Sequence, residues 1–204
     1  MKSTRWHALM NRLGFGANTE TYRALLEAYS QKHRHYHTVA HITHCLDELA
    51  LYRNLAEHPD DVELALWFHD AVYDSYAKDN EKKSADWAAE FLRERRAGSE
   101  QVDRVHDLVM ATVHEAPADG ADAQLLVDID LSILGADETT YRQFEQDVRR
   151  EYKWVPGPLF RRTRRKILQS FLDRESVYST EGFRQRLEKR ARRNLKTAML
   201  VLGG

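Results

Sequence analysis

Apolar residues recur every three or four positions along most of the chain, a period typical of helices that bury one face. The pattern predicts a helix that starts at Thr19, a residue type suited to an N-cap, and runs to about Tyr29. A second helix is predicted from about Thr38 to Leu55. The same period predicts further amphipathic helices over 79–96, 100–114, 137–152, 160–174 and 180–200.

Two other stretches are more strongly apolar. DVELALWFHDAVY, which follows Pro59-Asp60, is apolar nearly all round and predicts a central buried helix. LLVDIDLSIL, residues 125–134, has the composition of a strand, but we predict a helix because its neighbours are helical. HEAPADGADA, residues 114–123, predicts a loop by its Pro, Gly and Asp content. Strand candidates are too few for a sheet, so the expected fold class is all-α.

The length of 204 residues fits a single domain, 1–204. Pro156-Gly157-Pro158 marks a break, and we expect 158–204 to form a basic C-terminal helical extension packed on that domain. From Arg149 to Lys196 there are 16 basic and 5 acidic residues, although the whole chain has 31 basic and 32 acidic ones. This basic third is either a surface that attracts phosphates or nucleic acid, or the solvated face of two long helices. No Gly-rich phosphate loop or RNA-binding motif accompanies it, so nucleic acid is not the favoured partner.

The single cysteine, Cys45, excludes an internal disulfide and predicts a reducing compartment, so we expect a cytoplasmic protein. One sulfur is also too few for a zinc site built on thiolates. The N-terminal stretch MKSTRWHALMNRLGF lacks the apolar core and cleavage site of a secretory signal. No apolar run approaches the roughly 20 residues of a spanning helix, and we expect no membrane partner.

His69-Asp70 lies inside an apolar run, where an unpaired carboxylate costs several kcal/mol. A metal ion or an arginine would supply the missing partner, and a pair satisfied by the backbone is the alternative. His37, His41 and His44 fall within roughly 60° of one another on a helix and could hold a metal by themselves. For His41 and His44, a place in the core or a supporting role beside a ligand is the other interpretation.

Asp128 and Asp130 also lie in an apolar run and need a cation or hydrogen-bond donors. Together with the histidines they form a nitrogen and oxygen ligand set without sulfur. Such a set suits Mn²⁺, Fe²⁺, Co²⁺, Ni²⁺ or Zn²⁺, and Mg²⁺ less well.

The order His, then His-Asp, then Asp resembles the signature of the HD superfamily of metal-dependent phosphohydrolases. Here it stands as YHTVAHI with His37, LWFHD with His69-Asp70, and DIDLSIL with Asp130. Within that superfamily, the chain more closely resembles a bacterial branch described as predicted metal-dependent HD phosphohydrolases. The shared motifs have the forms RHYHT..HI, WFHD..YD, NE..SA, AT..HE, DIDLSILG and REY..VP, followed by an arginine that matches Arg164.

The resemblance implies a bundle of five core helices with additional peripheral helices. It also implies hydrolysis of a phosphate ester or nucleotide by a metal-activated water. The implied metal ligands are His37, His69, Asp70 and Asp130, with Asp128 as the alternative to Asp130. His41, Asp128 and Glu81 are expected to surround the ligands.

Proton transfer is assigned to Asp70 and Asp74, with Glu81 as the next candidate. Asp74 would lie one helical turn after Asp70, and a surface position at a helix end is the alternative. Where some HD nucleotidases carry a glutamate, this chain has Tyr73, so their mechanism does not transfer directly. The expected contacts to a small phosphorylated substrate, such as a nucleotide, are Arg34, His35, His114 and Arg164.

Two other functions compete with hydrolysis. One is a non-catalytic, metal-containing protein that binds nucleotides or nucleic acid through the basic C-terminal third. The other is an HD-fold metal oxygenase, which uses two irons and needs further histidine ligands between the HD pair and the last aspartate. Only His106 and His114 lie there, so the oxygenase is the less favoured alternative.

Overall fold

The computed structural model describes residues 3–114 and 118–203, and this part of the chain is all-α, as predicted. The helices, in chain order, are α1 (Ser3–Leu13), α2 (Thr19–Tyr29), α3 (Val39–Tyr52), α4 (Pro59–Phe68), α5 (Asn80–Glu94), α6 (Ser99–Met110), α7 (Ala121–Asp130), α8 (Glu138–Glu151), α9 (Gly157–Leu172) and α10 (Glu181–Gly203). Short 3-10 turns follow α3, α6 and α7, at Arg53–Leu55, Ala111–Val113 and Leu131–Gly135. None of the described helices is both long and apolar enough to cross a membrane.

The chain divides into two compact units, Met1–Ile129 and Asp130–Gly204. The division falls within the last turn of α7. The basic extension over 158–204 stays a prediction. The stretch LLVDIDLSIL is helical, as predicted, because it forms the end of α7 and the 3-10 turn behind it. In the predicted loop 114–123, residues 115–117 lie outside the described part of the chain, and Ala121 already begins α7.

Helix α4 is the centre of the first unit and packs against α1, α3, α5 and α6. All of its residues from Asp61 to Phe68 are buried, which confirms the central helix predicted from its apolar sequence. Trp6 of α1 packs edge-on against Trp67, with 5.2 Å between ring centres. The buried carboxylate of Glu63 in α4 is paired, as burial requires, because it lies 2.6 Å from the guanidinium of Arg12.

Helix α4 ends at Phe68 and does not continue through Tyr73, as the apolar pattern suggested. His69 and Asp70 instead form a turn, in which the N–H of Ala71 donates to the carbonyl of Phe68 at 2.8 Å. Helix α4 ends early because of contacts with residues distant in sequence, which the apolar pattern cannot show. Arg34 donates to the carbonyl oxygen of Asp70 at 2.6 Å, so that oxygen is engaged outside the helix.

The second unit is built around α10, which packs on α8, on α9 and on the 3-10 turn Leu131–Gly135. The amide of Asn194, buried in α10, donates to the carbonyls of Leu134 and Ala136 at 2.9 Å each. Gly135 allows α10 to come close, because a Cβ atom there would lie 2.6 Å from the Cβ of Leu187. The amphipathic helices predicted over 137–152, 160–174 and 180–200 correspond to α8, α9 and α10.

Candidate metal centre

Two histidines from different helices bring their ring nitrogens together in the first unit. His41 lies in the first turn of α3, whose start is fixed by the hydroxyl of Thr38 accepting from the N–H of Ala40. His69 directly follows α4. Both are almost fully buried, with 4% and 1% of their surface exposed, and their Nε2 atoms lie 3.1 Å apart. Two imidazole nitrogens this close need either a hydrogen atom, shared in a hydrogen bond, or a metal ion between them.

The carboxylate of Asp70 completes a triangle with these nitrogens. Its Oδ2 atom lies 3.3 Å from Nε2 of His41 and 3.2 Å from Nε2 of His69. An ion bound at about 2.1 Å holds adjacent ligands about 3.0 Å apart in octahedral geometry and about 3.4 Å apart in tetrahedral geometry. The three atoms therefore have the spacing of adjacent ligands of one divalent ion.

The ring of His69 is held in the orientation that a metal ligand needs. Its Nδ1 atom lies 3.0 Å from the carbonyl oxygen of Leu66, to which only a protonated ring nitrogen can donate. With the proton of a neutral ring on Nδ1, the lone pair on Nε2 faces the triangle. A backbone hydrogen bond of this kind fixes the tautomer of metal-binding histidines in general.

The electrostatics of the triangle keep Asp70 ionised. Burial by itself would raise the pKa of its carboxyl group, but the charges of His69 and His37 and the hydrogen bonds from His41 and His69 outweigh this effect. The pKa of Asp70 therefore lies well below its usual range. An anionic carboxylate is the form that binds a divalent cation.

The buried residues His41, Cys45 and His69 and the half-buried Asp130 could hold a metal ion, since each offers a ligand atom within 4.8 Å of the others. Asp130 is the last residue of α7. The sulfur of Cys45 lies 3.8 Å from both Nδ1 and Nε2 of His41. Because it is equally distant from the two nitrogens, it lies away from the axis of the Nε2 lone pair. This geometry favours Cys45 as a packing neighbour of His41.

His37, the histidine that the resemblance assigned to the metal, lies in the turn before α3. Its ring stacks on Tyr73, with 4.3 Å between centres, and its centre lies 6.0 Å from that of His41. Its charge is close enough to lower the pKa of Asp70. His37 therefore lies beside the triangle, and its role as a ligand stays a prediction. Asp128, which was predicted to lie beside the ligands, is fully buried in α7.

Arg34, predicted to bind substrate, is engaged with the backbone around the triangle. Its side chain is buried, and its guanidinium donates to the carbonyls of His37, Asp70 and Ala71 at 3.1, 2.6 and 2.9 Å. The guanidinium thus ties the turn before α3 to the turn after α4. This arrangement gives Arg34 a structural function that the sequence did not reveal.

The residues proposed for proton transfer, Asp74 and Glu81, lie outside the triangle. Asp74 is exposed in a loop, so the expectation that it follows Asp70 by one helical turn is wrong. Its carboxylate accepts from the N–H of Tyr76 at 2.9 Å, and its own N–H donates to the side chain of Asn80 at 3.0 Å. Glu81 lies in the first turn of α5. Their catalytic roles stay predictions.

The remaining predicted substrate contacts lie in different settings. His35 is exposed in the turn before α3. His114 has a left-handed backbone, with φ of 60°, and lines a cavity of about 960 Å³ in the first unit. Arg164 belongs to the second unit, where it donates twice to the carboxylate of Glu145, at 3.0 and 2.8 Å.

His41 is the residue whose position changes the sequence-based site most. Its spacing of four residues from His37 placed both on one helix face, which was the available signal. The spacing could not show that the helix begins at Val39, which leaves His37 in a turn and puts His41 opposite His69.

Comparisons with protein-family models, with curated proteins and with solved structures each give no match for this chain.

Proposed function

We propose that the protein is a metal-dependent phosphohydrolase that acts on a phosphate ester or nucleotide. The observation that carries the proposal is the triangle of His41 Nε2, His69 Nε2 and Asp70 Oδ2, with sides of 3.1 to 3.3 Å. The resemblance to HD phosphohydrolases supplies the reaction class, and the triangle supplies a place for the ion that the reaction requires.

The residues that would hold the ion are His41, His69 and Asp70, with Asp130 as the fourth ligand. His37 is the alternative that the resemblance favours. Two imidazoles and two carboxylates suit Mn²⁺, Fe²⁺, Co²⁺, Ni²⁺ or Zn²⁺ better than Mg²⁺, which prefers oxygen ligands alone. When bound, such an ion lowers the pKa of a coordinated water and neutralises charge on the phosphoryl oxygens.

The chain's own residues would orient the ligands and move protons. The hydrogen bond from His69 Nδ1 to the carbonyl of Leu66 places the proton of the neutral ring on Nδ1, which leaves the lone pair of Nε2 for the ion. Asp70 stays ionised, so its second carboxylate oxygen can accept a hydrogen bond from an attacking water. Asp74 is the predicted carrier of the proton to solvent, because it is the exposed carboxylate nearest to Asp70 in sequence.

The test measures the metal content of the purified protein together with phosphate release from nucleotides and small phosphate esters. His69→Ala and Asp70→Ala should each lose the metal and the activity. His106→Ala is the matched control, because His106 lies on the surface of α6, paired with Asp86 and Asp107. If the folded wild-type protein binds no divalent ion, the proposal is refuted.

A second pair of variants decides between the two candidate histidines. His41→Ala should abolish metal binding, whereas His37→Ala should retain most of it, because only His41 has a ring nitrogen in the triangle. The opposite result would assign the ligand role to His37, as the resemblance implies.

The competing functions make different predictions in the same experiment. A protein that binds metal and releases no phosphate from any ester would be the non-catalytic alternative. The two-iron oxygenase is not supported by the geometry, since neither His106 nor His114 belongs to a potential metal-binding group among the described residues.

A further inference from the structure

Four cations on α9 of the second unit have no carboxylate partner within the described part of the chain. Arg161, Arg162, Arg165 and Lys166 make no ion pair with any residue that the structure describes. Other arginines of this unit are compensated, as Arg164 is by Glu145 and Arg192 by Glu188. Like charges four residues apart destabilise a helix, so this charge stripe carries a cost to the fold.

The stripe borders exposed apolar side chains. Arg161, Arg162, Arg165 and Lys166 line a shallow cavity of about 570 Å³ together with Met199 and Leu202 from the end of α10. Two neighbours of these residues, Leu200 and Val201, are 79% and 75% exposed. Leu159, in the first turn of α9, is 54% exposed. We call the four cations with Leu159, Leu200 and Val201 the basic-apolar patch.

We propose that the basic-apolar patch docks on the surface of an anionic lipid bilayer. Cations attract the headgroups, and exposed aliphatic side chains enter the boundary between headgroups and acyl chains. The sequence-based expectation of no membrane partner rested on the lack of a spanning segment, and docking on a surface needs none.

Charge and side-chain type favour this occupant over two others. A second copy of the chain, paired through the same patch about a two-fold axis, would bring four cations against four cations. Nucleic acid would pair its phosphates with the cations, but it would not bury Leu200 and Val201. Their aliphatic side chains cannot stack on bases as aromatic rings do. Acyl chains and anionic headgroups together satisfy both parts of the patch.

The test is co-sedimentation of the full chain with vesicles of phosphatidylcholine alone and of phosphatidylcholine with 30% phosphatidylserine (about the anionic content of a charged leaflet). We expect binding to the anionic vesicles alone, weakened by raising NaCl from 20 to 300 mM. Arg161→Gln with Arg165→Gln should weaken binding on the order of 20-fold, at about fivefold per cation. Leu200→Gln with Val201→Gln should weaken it roughly tenfold or more.

Matched controls distinguish the effect of the patch from the effects of overall charge and surface hydrophobicity. Lys82→Gln with Lys83→Gln removes two exposed cations of the first unit that are already paired with Asp86 and Asp79. Leu51→Gln removes a leucine that is 65% exposed in the first unit. Both should bind vesicles like the wild-type protein, and circular dichroism should show that every variant is folded.

Three outcomes would overturn the proposal. One is the absence of binding to anionic vesicles at 20 mM NaCl. Another is tight binding to a 24-base-pair DNA duplex that Leu200→Gln with Val201→Gln leaves unchanged, together with weak vesicle binding. The last is a dimer in sedimentation velocity that the same apolar variant dissociates. None of these outcomes depends on the metal centre. The membrane-docking proposal and the phosphohydrolase proposal can therefore be refuted independently.

Discussion

Replacing Arg34 distinguishes a structural role from the substrate contact that the sequence suggested. In the structure its guanidinium makes three charge-assisted hydrogen bonds to carbonyl oxygens, at 2.6, 2.9 and 3.1 Å, and the residue is 4% exposed. Such a bond contributes about 1.5–3 kcal/mol. Because contributions within one network are not additive, we expect Arg34→Ala to lower the free energy of unfolding by about 3–5 kcal/mol.

A loss of this size is a large part of the total stability of a typical domain. It should lower the melting temperature by about 10 °C or more. Since Arg34 ties the turn before α3 to His69-Asp70, metal affinity should also fall, by about 10–100-fold as for other residues that orient ligands. Arg34→Lys should recover little, because an ammonium group cannot reach three carbonyls in the fork geometry of a guanidinium.

The assay combines thermal melting, metal titration and phosphatase kinetics. The control is Arg23→Ala, which removes an exposed arginine of α2. A substrate contact at Arg34 would give a raised KM with unchanged melting temperature and metal affinity. That result would refute the structural role and restore the interpretation drawn from the resemblance.

Three further predictions concern the second unit. Asn194→Ala should cost about 2–3 kcal/mol in urea unfolding, because it removes the donor from the buried carbonyl of Leu134 and from the part-buried carbonyl of Ala136, whereas Thr197→Ala on the same helix should cost little. Gly135→Ala should cost about 1–3 kcal/mol, because the new methyl group would overlap Leu187, and unchanged stability would contradict the close approach of α10. Asp137→Ala should lower the melting temperature at pH 7, because its side chain caps α8, and hydrogen bonds from the first turn of that helix hold the pKa of the carboxyl below its usual range. The capping contribution is present above the unfolded pKa of about 3.9 and is lost as the pH falls through the folded value, so melting curves of the two proteins should converge in acid.

Much of the fold could be predicted, because most helices bury one face and therefore show a regular apolar period. The end of α2 at Tyr29 was predicted correctly, whereas its N-cap is Asn18 and not Thr19. Helix α1 was missed, although Trp6, Leu9 and Met10 have the spacing of a buried helix face.

The end of α4 and the choice of metal ligands could not be predicted from local patterns. The helix ends because Arg34, 36 residues away in the chain, engages the carbonyl of Asp70. Likewise, whether His37 or His41 contributes a nitrogen depends on where α3 begins relative to α4. Both depend on long-range contacts, which a single sequence does not contain without an alignment.

The location of His69 and Asp70, directly behind the most buried helix of the first unit, has a kinetic consequence. Amide hydrogens of a helix enclosed on all sides exchange with solvent only when the surrounding core opens. The N–H of His69 belongs to this set, since it donates to the carbonyl of Ala65 at 2.9 Å. Its exchange should therefore be as slow as that of Leu66 or Trp67, so the two residues lose their arrangement only in the rare openings that expose the core.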